Sequence, residues 1–151
     1  MVSDLNIVIT EAKEKDLEQI YQIEKENFSY FWSKDFILFN IKLPKNLKKF
    51  FVAKIDENVV GYVVCLTSDK TSHIINISVK KDFQNLGIGN KLLDFIIKSF
   101  KTENFKSIIL EVRASNLVAI SLYKKFGFKE VRIKKKFYPD GEDAIFMIKH
   151  L

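Results

Sequence analysis

The segment Gln84–Gly89 holds two glycines at a spacing that can bind an anion. An apolar strand-like run, 74–79, precedes it, and a strongly amphipathic helix follows it. The first N–H groups of a helix have no intrahelical acceptor, and the helix dipole adds partial positive charge beside them. Because glycine has no Cβ, the backbone can approach a phosphate closely at such a turn. The pattern therefore predicts a site for a phosphorylated cofactor.

The usual nucleotide-binding fingerprints do not account for this turn. The chain contains no G-x-x-x-x-G-K-[ST] run, and Leu92 stands where a dinucleotide fingerprint needs its third glycine. A tight turn that only caps the following helix is the alternative interpretation of the same spacing. Other residues of the chain are needed to distinguish a phosphate-binding turn from one that only caps the helix.

Hydrophobic periodicity on either side of the turn predicts an α/β chain with the element order β-α-α-β-β-β-α-β-α-β-β. The predicted strands span residues 5–10, 50–55, 59–66, 72–79, 107–112, 128–137 and 144–148. The first helix is predicted to begin at Thr10, and the others to span 34–41, 89–101 and 116–126. Ser33 is the predicted N-cap of the second helix, Gly127 ends the last one, and broken alternation near Asn76 predicts a bulge or a bend.

Composition narrows the class of protein. With 151 residues, 47% of them hydrophobic, the chain is predicted to form one domain with a substantial core. No apolar run approaches the roughly 18 residues of a membrane span, and the N-terminus lacks signal-peptide features. The single Cys65 lies in an apolar run, so no disulfide within the chain is expected. We therefore expect a cytoplasmic protein with no membrane partner and with Cys65 in its core.

The formal net charge of +6 favours anionic partners such as phosphorylated cofactors. The densest basic runs, 45–49 and 134–136, are interpreted as solvated surface. No nucleic-acid-binding module or basic run interleaved with aromatics is evident, so no direct binding of nucleic acid is predicted. His73 and His150 have no carboxylate or Cys neighbours at ligand spacing, so no metal site is predicted, and His73 is expected to be exposed or structural.

The glycine turn and two further segments carry a resemblance to a known family. Q-x-x-G-x-G at 84–89, LEVRASN at 110–116 and LYKKFGF at 122–128 together resemble the Gcn5-related (GNAT) N-acetyltransferases, and among them the RimI-type N-terminal acetyltransferases. Segments 23–33 and 137–144 extend the resemblance over residues 5–149. It implies a single GNAT domain, 1–151, with a mixed, mostly antiparallel twisted sheet of about seven strands and about four flanking helices.

The cofactor implied by the resemblance is acetyl-CoA. Its pyrophosphate would lie on the turn, the free backbone groups of the preceding strand would pair with the pantetheine arm, and Asn116 would bind the pantetheine chain. The implied cofactor residues are Ile77, Ser78, Val79, Asn85, Leu86, Gly87, Ile88, Gly89, Asn90 and Asn116. By its position alone, Asn116 would be interpreted as a helix N-cap.

The implied reaction is acyl transfer to an amine, with Glu111 as general base and Tyr123 as general acid. The N–H of Val79 would stabilise the oxyanion. An unperturbed glutamate, with a pKa of about 4.3, is a weak base, so we expect burial to raise the pKa of Glu111. The alternative roles are an ion pair between Glu111 and Arg113, and a core position for Tyr123.

The resemblance also implies an acceptor site formed by Glu24, Phe28, Trp32 and Tyr138. The implied acceptor is a protein N-terminus, in particular that of a small-subunit ribosomal protein beginning with alanine, and the implied state is a monomer or weak dimer. Phe31 and Phe137 depart from the family pattern of proline and tyrosine, so the acceptor is less defined than the reaction. A small-molecule amine, a lysine side chain, or acetyl-CoA binding without catalysis are the alternatives.

Overall fold

The computed structural model describes residues 6–151, and over that range seven strands and four α-helices follow the predicted order. The strands are β1 Ile7–Glu11, β2 Lys48–Ile55, β3 Asn58–Ser68, β4 Thr71–Val79, β5 Ser107–Arg113, β6 Lys129–Lys134 and β7 Ala144–His150. The helices are α1 Leu17–Asn27, α2 Lys34–Lys42, α3 Ile88–Thr102 and α4 Leu117–Lys125. Leu5, the predicted start of the first strand, lies outside the described residues.

All seven strands form one sheet in the order β1-β2-β3-β4-β5-β7-β6. Neighbouring strands are antiparallel except β4 and β5, which run parallel because α3 connects them as a crossover. The predicted mixed, mostly antiparallel sheet is therefore confirmed. No helix within residues 6–151 is long and apolar enough to cross a bilayer.

Helices cover both faces of the sheet, and each face has its own core. On one face, the buried side of α3 packs with Tyr123 and Phe128 against the sheet. On the other face, α1 and α2 contribute Ile20, Ile23 and Ile37 to a smaller core that includes Tyr62. The sheet is thus buried on both sides over its centre, which explains the nearly continuous burial of β3.

Two predicted boundaries are wrong, and local hydrogen bonds explain both. Thr10 belongs to β1, and α1 begins only at Leu17, because the Asp16 carboxylate accepts the Lys13 N–H at 2.9 Å and holds a 3₁₀ turn before the helix. The sixth strand ends at Lys134 instead of residue 137. Lys136 adopts a left-handed φ of 50° and donates its N–H to Asp143 at 3.0 Å, which turns the chain.

The predicted bulge in β4 is confirmed. Asn76 pairs with Val64 of β3 and Ile74 pairs with Cys65, so Ile75 is an extra, unpaired residue. The extra residue reverses the alternation of side chains along the strand. Ile74 packs in the α3 core, whereas the Asn76 side chain reaches Glu24 of α1 on the opposite face.

Candidate active site

β4 and β5 separate after a short parallel pairing, and this gap is the centre of the candidate site. Their pairing ends at Ile74 and Leu110, although both strands continue beyond those residues. The Lys80 N–H donates to the Val60 carbonyl at 2.8 Å, which fixes the phase of the β3–β4 ladder. In that phase Ile77 and Val79 direct their backbone groups away from β3 and toward the gap.

Ser78 differs from its two neighbours. It stands opposite Tyr62 in a hydrogen-bonded position of the same ladder, so its backbone groups face β3. Its side chain is buried and accepts a 2.6 Å hydrogen bond from Asn27. The free backbone groups predicted for this strand therefore belong to Ile77 and to the N–H of Val79, because the Val79 carbonyl accepts from Asn27 Nδ2 at 2.8 Å and from Gln84 Nε2 at 3.0 Å. The prediction is corrected for the backbone of Ser78.

The glycine turn presents unpaired donors at the N-terminus of α3. Among the described residues, none accepts a hydrogen bond from the backbone N–H groups of Asn85 to Asn90, and the helical bonding starts with Lys91. Gly87 is the N-cap residue with a left-handed φ of 88°, a conformation that favours glycine. A Cβ on Gly89 would approach nothing closer than 3.9 Å, so space remains beside this amide. The turn therefore fits a pyrophosphate group.

Asn116 lies at the other side of the gap, where β5 leads into α4. Its Oδ1 accepts the Ala119 N–H at 3.2 Å, so it is an N-cap, as its position alone indicated. The side chain is exposed, and its amide nitrogen donates to no described residue. A contact from this nitrogen to a pantetheine arm stays a prediction.

Glu111 is held between the side chains of a lysine and a histidine. His73 Nε2 lies 2.6 Å from Oε1, and Lys134 Nζ donates to Oε2 at 2.6 Å. The carboxylate is only 10% exposed, and its burial alone would raise its pKa. The contacts with Lys134 and His73 outweigh burial and lower the pKa of Glu111. The expectation of a raised pKa is therefore wrong, because it omitted these partners.

Arg113 pairs with other carboxylates, so the alternative ion pair with Glu111 is wrong as well. Its Nη1 lies 2.8 Å from both Asp140 and Glu142 of the β6–β7 connection, and its guanidinium stacks 4.2 Å from the Tyr138 ring centre. Contacts with Ser115 and then Arg113 lower the pKa of Glu142 to about 2. These contacts fasten the loop that carries Tyr138 onto the end of β5.

Tyr123 is buried on α4, and its hydroxyl has no hydrogen-bond partner within residues 6–151. Its ring packs edge-to-face on Phe128 at 5.7 Å. Burial raises the pKa of Tyr123 and Tyr138 raises it further, so the phenol is protonated at neutral pH and can donate. Burial raises the pKa of Tyr138 to about 12, and Glu111 also raises it. Tyr138 therefore influences the pKa of Tyr123, and Glu111 influences that of Tyr138.

Glu24 of α1 is a second buried carboxylate, 1% exposed. It accepts hydrogen bonds from the Tyr62 hydroxyl, from Asn76 Nδ2 at 2.7 Å and from the Trp32 N–H at 3.0 Å. Burial raises the pKa of Glu24, although the three donors oppose it. Phe28 begins the loop 28–33, and Glu24 holds this loop in place by accepting the Trp32 N–H. The side chains of Phe28 and Trp32 are half-buried. Contacts of these residues with an acceptor stay predictions.

His73 and Lys134 are the site residues that sequence reasoning missed. His73 was expected to be exposed or structural, yet it contacts the residue that the resemblance assigns to catalysis. The parallel register pairs Ile74 with Leu110, which places His73 and Glu111 on the same face near each other. That register would have revealed the contact, but a single sequence does not specify it.

Two further predictions concern cysteine and metals. Cys65 is fully buried in the α3 core, and burial raises the pKa of its thiol to about 12. Within residues 6–151, no three His, Cys, Asp or Glu side chains cluster as metal ligands.

Comparisons with known proteins agree with this geometry. The family model of the Acetyltransferase (GNAT) family matches residues 17–128. An N-alpha-acetyltransferase of Sulfurisphaera tokodaii is 37% identical over 156 residues, covering 92% of this chain and 90% of its own. The ribosomal protein bS18-alanine N-acetyltransferase of Salmonella typhimurium is 35% identical over 136 residues, covering 87% and 89%.

A solved structure gives the same result for the fold. The ribosomal-protein-S18-alanine N-acetyltransferase from Escherichia coli superposes with a TM-score of 0.88 at 30% identity, covering 95% of this chain and 93% of its own. The gap between β4 and β5, the free amides of the turn and these comparisons lead to one conclusion. The chain belongs to the GNAT acetyltransferase family and is an acetyl-CoA-dependent N-acetyltransferase.

Proposed function

We propose that the protein acetylates the α-amine at the N-terminus of another protein. The observation that carries this proposal is the protonated hydroxyl of Tyr123, which has no hydrogen-bond partner within residues 6–151 and lies on α4, the helix that follows the strand of Glu111. The archaeal relative is named an N-alpha-acetyltransferase and the bacterial one a ribosomal protein bS18-alanine N-acetyltransferase, and both names support an α-amine as the acceptor.

On the cofactor side, the free amides from Asn85 to Asn90 would bind the pyrophosphate of acetyl-CoA. Ile77 and Val79 would pair with the pantetheine arm along the gap, and Asn116 would contact it from α4. When bound, acetyl-CoA supplies an activated thioester. The Val79 N–H would donate a hydrogen bond to the oxyanion that develops during attack.

On the acceptor side, an α-amine suits this site because its pKa of about 8 is lower than the 10.4 of a lysine, so its proton is removed more easily. The Glu111 cluster would receive that proton, and Tyr123 would protonate the departing thiolate. Tyr123→Phe is expected to lower kcat by roughly 10²-fold, because it removes the acid but keeps the ring. Acetyl-CoA affinity should remain close to wild type, and Tyr21→Phe, a partly exposed tyrosine of α1 outside the assigned site residues, is the matched control.

The acceptor peptide would enter between the loop 28–33 and the β6–β7 connection. Glu24, Phe28, Trp32 and Tyr138 would contact it, with Arg113 holding Tyr138 in place. A small-subunit ribosomal protein beginning with alanine is the proposed acceptor, since the Salmonella relative is named for one. A cytoplasmic location and a monomeric or weakly dimeric state are part of the same proposal.

A mass-spectrometric acceptor panel tests the proposal. Purified protein and acetyl-CoA are incubated with peptides whose N-terminus is free or blocked, each with or without an internal lysine, and with small amines. We expect acetylation of the free N-termini only. Product on blocked, lysine-containing peptides or on small amines would contradict the N-terminal assignment. Coenzyme A binding without any product would indicate a binding module instead.

A further inference from the structure

The last residue of α1, Asn27, joins this helix to the end of β4. Its Nδ2 donates to the Ser78 hydroxyl at 2.6 Å and to the Val79 carbonyl at 2.8 Å. One side-chain amide, with two N–H donors, therefore contacts two consecutive residues that lie 51 and 52 positions further along the chain. The Asn27 side chain is half-buried, and the roles assigned so far leave it without a function.

The Val79 carbonyl needs such donors because it lies where the sheet is interrupted. The pairing of β4 with β5 ends at Ile74, so β5 offers this carbonyl no ladder partner. Gln84, the first residue of the glycine turn, donates a second hydrogen bond to it from Nε2 at 3.0 Å. The same Nε2 lies 3.4 Å from Asn27 Oδ1, which links the two amides. Two side chains thus replace the missing strand as partners of the carbonyl.

Hydrogen bonds that fix this carbonyl also fix the N–H of the same residue. In the β3–β4 ladder both backbone groups of Val79 point away from β3, and the N–H has the gap in front of it. Ser78 is held as well, since its backbone pairs with β3 and its hydroxyl accepts from Asn27. The peptide unit that contains the Val79 N–H is therefore restrained on both sides, through Ser78 and through the Val79 carbonyl.

We propose that Asn27 is a positioning residue of the acetyl transfer, which aims the Val79 N–H at the carbonyl oxygen of the thioester. Gln84 supports it from the cofactor turn. This inference rests on the proposed function, because it takes the Val79 N–H as the donor to the developing oxyanion. Such a donor stabilises the transition state when it lies about 2.7–3.1 Å from the oxyanion, so even a small displacement lowers its contribution.

The same end of α1 also contacts the loop that is proposed to bind the acceptor. Glu24, one turn before the end of the helix, accepts the Trp32 N–H and so holds the loop 28–33. Glu26 accepts the N–H of Lys81, just after β4, at 3.2 Å. The end of one helix therefore sets the acceptor loop and the strand of the oxyanion donor relative to each other.

Two ligands that differ at one oxygen measure whether the Val79 N–H is correctly aimed. S-Ethyl-CoA is a thioether in which a methylene replaces the thioester carbonyl, so only acetyl-CoA can accept the hydrogen bond. We expect the wild-type protein to bind acetyl-CoA about fivefold more tightly in isothermal titration calorimetry, the usual contribution of one hydrogen bond. Asn27→Leu keeps the size of the side chain and removes its donors. In this variant the preference should fall to about twofold or less.

Steady-state kinetics give a second readout, with whichever amine the wild-type protein acetylates as the acceptor. Asn27→Leu is expected to lower kcat by about tenfold with little change in KM for acetyl-CoA, because the amides of the turn still bind the pyrophosphate. Gln84→Leu should lower kcat less, by about threefold, because Gln84 is exposed and Asn27 still holds the carbonyl. Asn46→Leu is the matched control, since Asn46 is exposed beside Thr67, which pairs with the beginning of β4.

An unchanged preference for acetyl-CoA in Asn27→Leu would overturn the inference. So would a purely structural effect, in which the melting temperature falls while the preference and kcat equal those of Asn46→Leu. A wild-type protein that binds both ligands equally would contradict the role of the Val79 N–H and this inference with it. The binding measurements use no acceptor, so a wrong N-terminal assignment, which the acceptor panel detects, is distinguishable from a failure of this inference.

Discussion

The two glutamates of the site, Glu24 and Glu111, are both shielded from solvent, Glu24 more completely, yet their pKa values move in opposite directions. Neutral donors surround Glu24, namely a phenol, an amide and a backbone N–H, and its pKa is raised. A lysine and an imidazole surround Glu111, and its pKa is lowered. The neutral donors do not offset the desolvation of Glu24, whereas the lysine and the imidazole more than offset that of Glu111. The kind of partner, more than the depth of burial, sets the charge of each carboxylate.

The largest effect is expected from Glu24→Ala. This change leaves the donors of Tyr62, Asn76 and Trp32 without their acceptor and opens a cavity, so we expect a loss of about 4 kcal/mol in the free energy of unfolding. Urea denaturation measures it, with Glu57→Ala in the exposed β2–β3 turn as control. A loss as small as that of the control would show that Glu24 does not hold the loop.

Tyr62→Phe is expected to cost about 2 kcal/mol, with a pH dependence that follows from Glu24. The phenol lowers the pKa of Glu24, so its removal raises that pKa further and makes the charged form more costly. A group with a raised folded-state pKa loses stability as pH rises through that value. Tyr62→Phe should therefore destabilise more at pH 8 than at pH 5. An equal loss of stability at pH 5 and at pH 8 would contradict a raised pKa of Glu24 among neutral hydrogen-bond donors.

Lys134→Gln is expected to give the smallest loss, about 1 kcal/mol at pH 7, because Lys134 is partly exposed and His73 still contacts Glu111. Its pH dependence has the opposite sign. Lys134 lowers the folded-state pKa of Glu111, so the stability it contributes is present at neutral pH and disappears as pH falls through that lowered value. Lys136→Gln, an exposed neighbour, is the control. A larger loss at acidic pH would contradict this assignment.

Local patterns in the sequence predicted the parts of the site that depend on the backbone. The free amides after Gln84, the N-cap at Asn116 and the bulge near Asn76 each follow from a few consecutive residues. The partners of Glu111 come from residues 38 and 23 positions away, on strands whose register the sequence does not state. For that reason its pKa was predicted in the wrong direction.

The ends of helices and strands also divide into those that nearby residues determine and those that distant residues determine. Ser33 was correctly predicted as the N-cap of α2, since its side chain accepts the Phe36 N–H three residues on. The end of β6 was missed because the turn there depends on Asp143, seven residues beyond Lys136. Amphipathic periodicity extended the first helix back to Thr10, although that residue pairs with Val52 of β2. The pairing of Thr10 with β2 outweighed the preference of the local sequence for a helix.

Ile75 has a consequence for how this enzyme could tolerate insertions and deletions. Thr71 to Val79 is a single strand, yet its two halves present opposite side-chain parity to the same helices. Removal of Ile75 would abolish the bulge and leave regular pairing, with Asn76 and Ser78 still toward α1 and Ile77 and Val79 still toward the α3 core. An extra residue inserted after Asn76 would instead turn Ile77 and Val79 toward α1 and Ser78 toward the α3 core. That insertion is therefore expected to be far more damaging than removal of Ile75 or a one-residue change in the β2–β3 turn.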